Sequence, residues 1–95
     1  MQTFFMMGKY SSENIRNASP DRTEKAIGLI NELGGEVVSI YALLGGYDLV
    51  LIVKLSDLSV AMKVSLGLSV LTQISFSTYP ALAVDDFDRI IGNID

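Results

Sequence analysis

Glu36-Val37-Val38-Ser39-Ile40-Tyr41-Ala42-Leu43-Leu44, then Gly45-Gly46, then Tyr47-Asp48-Leu49-Val50-Leu51-Ile52-Val53-Lys54-Leu55: two apolar runs of strand length meet at a glycine pair. Paired glycines permit the positive backbone angles of the primed two-residue turns. The spacing therefore predicts a hairpin with strands over 36–44 and 47–55. Leu49 to Val53 is apolar on both faces, which predicts a central strand covered on both sides.

On the N-terminal side, Ser19-Pro20-Asp21-Arg22 reads as a helix start, with serine at the N-cap, proline at the first helical position and an acid in the first turn. Ala26, Ile27, Ile30 and Leu33 follow at helical spacing, and Gly34-Gly35 supplies a left-handed C′ residue. Before it, Ser11 to Ala18 is a polar connector or one short helical turn, and Thr3 to Tyr10 a strand. The apolar residues of that strand do not alternate cleanly, which predicts cover on both faces.

On the C-terminal side, Ser56-Asp57 offers an N-cap for a helix running to about Val70. Val60, Ala61, Val64, Leu68 and Leu71 form one stripe, while Leu58, Met62, Leu66 and Val70 spread over the rest of the circumference. Such a helix is buried on more than one side or also used between subunits, and Ser65, Gly67 and Ser69 would let another backbone come close. Gln73 to Tyr79 reads as a fourth strand closed by Pro80, and Val84 to Ile94 as a short helix with Asp85 and Asp86 at its favourable end. The order β-α-β-β-α-β is the ferredoxin-like, split βαβ pattern of an α+β sandwich with a four-stranded antiparallel sheet. Both helices take one sheet face. The other, rich in Phe, Met, Tyr and Val, has nothing within the chain to cover it, so the sequence predicts a homo-oligomer, a dimer or higher, through that face.

Composition narrows the chemistry. Ninety-five residues make a single domain, 1–95, and 49% hydrophobic against 19% charged residues excludes disorder. With neither Cys nor His, thiol nucleophiles, disulfides, Cys-zinc or iron–sulfur centres and Ser-His-Asp triads are excluded. Asp85, Asp86 and Asp88 lack the glycine-turned loop of a calcium site, so neither a metal nor a cofactor is expected. Net charge is −4, and the seven basic residues are scattered, which argues against nucleic acid as a partner. Met1 to Met7 has no positive flank, and the following Lys9 ends the apolar run. That is too short for a signal peptide or a membrane span, so no membrane partner and a cytoplasmic location are expected.

Gly45-Gly46-Tyr47-Asp48 carries a resemblance. With Gly8-Lys9-Tyr10, Arg22, Leu33-Gly34-Gly35-Glu36-Val37, Tyr41-Ala42-Leu43-Leu44-Gly45 and Pro80-Ala81 before Asp86-Phe87-Asp88, the chain resembles the GYD-domain family along nearly its whole length. Where that family often has an acid before the tyrosine, this chain has Gly46. The resemblance implies a dimeric α/β barrel and no established activity. Gly45 to Thr78 is also similar to the ligand-sensing domain of the leucine-responsive and asparagine-type regulators. In them the corresponding turn lies at a subunit interface that binds small effectors, which would put Gly45, Tyr47 and Asp48 there. The DNA-binding helices of those regulators have no counterpart here.

The expected ligand-contact residues are Tyr47 and Asp48, which suit an amine or hydroxyl, the Gly45-Gly46 backbone, which suits a carboxylate, and Tyr41. The competing reading is that Asp48 only braces the turn while Tyr47 packs a sheet edge. No catalytic residue is assigned. Three classes stay open: a small-molecule-binding, sensor-like module; a cofactor-independent enzyme of monooxygenase or isomerase type; and a purely structural oligomer. The first is the expectation.

Overall fold

The computed structural model describes residues 1–94. In chain order it contains β1 (Gln2–Lys9), a 3-10 turn (Asn14–Asn17), α1 (Pro20–Glu32), β2 (Glu36–Ala42), β3 (Leu49–Leu55), α2 (Leu58–Thr72), β4 (Ser75–Ala81) and α3 (Val84–Gly92). The sheet runs β2-β3-β1-β4, and every neighbouring pair is antiparallel. This is the expected ferredoxin-like β-α-β-β-α-β sandwich with a short C-terminal helix.

The expected α/β barrel is not formed. The sheet is open, ending at β2 on one side and β4 on the other, with neither edge paired to a strand. Four strands are half the roughly eight that close a sheet around filled side chains.

Local chemistry explains the elements. The Ser19 hydroxyl accepts the Arg22 N–H at 3.1 Å, and Pro20 opens α1. Gly34 takes the left-handed position after that helix (φ +80°). At Gly35 the chain passes so close to the core that a Cβ would lie 2.4 Å from Leu55 Cδ2. Asp57 caps α2 by accepting the Val60 N–H at 2.9 Å.

Three boundaries differ from expectation. Gln73 is the left-handed cap of α2, its N–H donating to the Ser69 carbonyl, so β4 starts at Ser75 and not at Gln73. Pro80 does not close that strand; it lies inside it, opposite Phe4. An edge strand tolerates a residue without an N–H. The hairpin also differs: β2 stops at Ala42 and β3 starts at Leu49, leaving a six-residue loop in place of a two-residue turn.

The core lies between the sheet and α1 and α2. Phe4 and Met6 of β1, Val53 and Leu55 of β3, Ile30 of α1 and Leu68 of α2 are almost wholly buried. The cover expected on both faces of β1 and β3 is complete on the helix side only, although Val50 on the other side is buried. Phe5 stands on the side away from the helices and is exposed, and Ile52 beside it is half-buried. Similarly, α2 is buried along Ala61, Val64 and Leu68, whereas Leu58, Met62, Leu66 and Val70 are exposed.

The accessible area is 6412 Å², where a compact monomer of this mass exposes about 5,400 Å². The radius of gyration is 14.6 Å against about 12.4 Å for a compact 95-residue domain. Much of the excess belongs to α3, which has no buried residue. Among the described residues, no helix is long and apolar enough to cross a membrane.

Candidate functional site

Strand register lays the uncovered sheet face out in rows. Tyr41, Val50, Met7 and Ser77 form one row across the four strands, and Ser39, Ile52, Phe5 and Tyr79 the next. The β2–β3 loop enters this face from the end of the hairpin. Leu43 N–H donates to the Asp48 carbonyl at 2.8 Å and closes the loop. Gly45 has φ +154°, an angle that residues with a Cβ rarely adopt. Leu44, Gly45 and Gly46 form the exposed tip.

Asp48 ties the loop to the end of β1. Its N–H donates to the Gly8 carbonyl at 2.9 Å, and its Oδ2 accepts the Tyr10 N–H at 2.9 Å. The signature aspartate therefore joins two elements 38 residues apart in sequence. Tyr47, immediately before it, turns onto the uncovered face. With Phe5, Met7, Tyr79 and Ala81 it lines an open depression of about 320 Å³.

The hydroxyls of Tyr47 and Tyr79 lie 2.8 Å apart. Hydrogen bonds from Tyr79 and then Ser77, helped by the charge of Lys9, hold the Tyr47 hydroxyl below its ordinary value of 10.0. Tyr79 moves upward from 10.0, because its hydrogen bond to Tyr47 favours its protonated form and it faces any charge that Tyr47 develops. Between them the paired hydroxyls can donate one further hydrogen bond and accept others.

The five expected contact residues are only partly gathered. Tyr47, Asp48, Gly45 and Gly46 share the loop. Tyr41 is on the same face but on edge strand β2, across the sheet from Tyr79, and does not line the depression. Tyr47 was expected at the turn, but its pairing with Tyr79 was not. Its signal was present in β4, where Ser75, Ser77 and Tyr79 alternate onto one face. A separate cleft beside the start of α1, where the Arg22 guanidinium lies 5.4 Å from the centre of the Tyr10 ring, holds about 60 Å³. That is room for about two water molecules. Among the described residues, no group of three or more acids is placed to hold a metal ion.

Fold and site together define a small α+β sandwich whose uncovered sheet face carries a tyrosine-lined depression beside a glycine-tipped loop. The chain belongs to the GYD domain family, which matches residues 4–91. No curated protein matches it. Among solved structures, it is similar to the leucine response regulatory protein LrpA of Mycobacterium tuberculosis, with 14% identity and a TM-score of 0.57 over 85% of this chain and 50% of that one. An AsnC family transcriptional regulator from Agrobacterium tumefaciens gives 21% identity and a TM-score of 0.57, over 84% and 49%. TTHA0845 from Thermus thermophilus gives 26% and 0.55, over 86% and 94%. The chain spans about half the length of the two regulators.

Proposed function

We propose that this chain is a homo-oligomeric module that binds a small molecule at the β2–β3 loop, where the loop meets the uncovered sheet face. The carrying observation is the Tyr47–Tyr79 hydroxyl pair at the rim of an apolar depression, 2.8 Å apart and shifted in opposite directions. A ligand with an apolar body and a polar end suits that arrangement. Its body would rest on Phe5 and Met7, and its hydroxyl or carbonyl would exchange hydrogen bonds with the two tyrosines. The exposed backbone of Gly45 and Gly46 would receive a carboxylate. Asp48 holds the loop through Oδ2 and offers Oδ1 to an amine. Tyr41 would contribute from the far edge once a second copy covers the face.

The depression is open on one chain, and a partner sheet would turn it into an enclosed site. The exposed Phe5, Tyr41 and Tyr79 on that face support such a partner. The likeness to transcriptional regulators supports an effector-binding role.

A thermal-shift screen against amino acids, small carboxylates and quinone-like aromatics tests the reading. Ligand at about 100 Kd adds about 2.7 kcal/mol, several degrees for a chain of this size. One chemical class should raise the transition, and Tyr47→Phe or Asp48→Asn should abolish the rise while the fold persists. A flat screen on folded protein, or an unchanged response in both variants, would overturn it.

A further inference from the structure

Two other apolar surfaces are left without partners. Along α3, Val84, Phe87, Ile90 and Ile91, together with Ile94 just beyond it, are all at least half exposed. Their spacing places them on one side of the helix, with Asp85, Asp88 and Arg89 towards the other. Between α2 and β4 runs a groove of about 310 Å³. Leu58, Met62 and Leu66 form its helical wall at four-residue spacing, and Phe4, Thr78 and Pro80 lie on the sheet side.

We propose that α3 is an exchanged arm, each copy of the chain laying its α3 stripe in the α2–β4 groove of a second copy. The helix leaves its own body: only Leu82 and Ala83 join it to β4, and Ala83 is extended (φ −60°, ψ 141°). Charge does not oppose the match. Lys63 is the sole charged residue of α2, beside the groove wall, whereas α3 carries three aspartates against one arginine, Arg89, which pairs with Asp86. Area favours it. Leu82 and the five stripe residues expose roughly 500 Å² of apolar surface, so two reciprocal arms bring about 1,000 Å² to the contact before the groove side is counted, the scale a specific interface needs. Reciprocal exchange also closes on a two-fold axis, so the arms by themselves join two copies and no more. The groove lies on the helical side of the sandwich, and this contact is therefore independent of the uncovered sheet face.

The chain has no cysteine, so an engineered pair reports without background. In the full chain carrying Met62→Cys and Ile90→Cys, mild oxidation should give a covalent dimer on a non-reducing gel. Phe87→Asp should leave the circular dichroism unchanged and weaken self-association about a hundredfold, the scale of a lost buried aromatic anchor. A disulfide formed within one chain would overturn the proposal by showing that the arm folds onto its own groove. Absence of any crosslink together with an unchanged mass for Phe87→Asp would overturn it as well. Phe5→Asp separates the two contacts: if it alone lowers the mass, the arm proposal fails while the sheet-face reading stands.

Discussion

The two faces of the sheet are built from similar side chains and have opposite fates. Towards the helices, Phe4 and Met6 are sealed under Ile30, Val64 and Leu68. One residue along the same strand, Phe5 is 36% exposed, and across from it Tyr79 is 48% exposed. Alternation along a strand decides which face a residue joins, but not whether anything covers that face. The difference teaches that apolar content beyond what one core can hold is information about partners.

The largest test of this comparison is to cut equally into both faces. Leu55→Ala should cost about 2–5 kcal/mol, the range for a buried leucine, read by urea unfolding. Phe5→Ala should cost less than about 1 kcal/mol at protein concentrations low enough for monomers, and much more when the chains associate. Equal costs at every concentration would break the comparison. Gly35→Ala follows, at about 1–3 kcal/mol for the overpacking it forces against Leu55 and Ile30. Asp48→Ala should then cost about 1.5 kcal/mol through the lost bond to the Tyr10 N–H, with proteolysis sites opening in the β2–β3 loop.

The smallest effect is spectroscopic. In an ultraviolet titration, one tyrosine should ionise below 10.0 and another above it, and Tyr79→Phe should move the low step upward. The signs oppose each other in stability. Tyr47, with its lowered folded value, favours folding increasingly as pH rises towards 10.0. Tyr79, with its raised value, contributes below 10.0 and loses that contribution as pH rises through its folded value. A single unresolved step for all four tyrosines would show that the hydroxyl pair does not persist in solution.

Much of the fold was legible because its signals are local. Ser19-Pro20, Asp57 and Gly34 mark helix ends through contacts made within one turn, and Leu49 to Val53 marks a strand by composition alone. What was not legible depends on distant partners. Gly45-Gly46 suggested a two-residue turn, but the reach of Asp48 to Gly8 and Tyr10 draws the loop out to six residues. Pro80 suggested a strand end, but pairing with Phe4 at the sheet edge keeps it inside β4. At the site, Tyr47 and Asp48 were visible as a motif. Their division of labour was not, because it rests on Tyr79 and Tyr10, distant along the chain. The barrel came with the family resemblance, and strand pairing within one chain does not provide it.

Pro80 has a further consequence when set beside the irregular pairing between Val37 and Ser39 on β2. The two features occupy the two outermost strands, where unsatisfied backbone groups would otherwise recruit further strands. A missing N–H on one side and a kinked register on the other make both poor templates for cross-β growth. A chain this rich in apolar residues is thereby steered away from aggregation through its margins, and its associations are left to side chains, which can choose their partner.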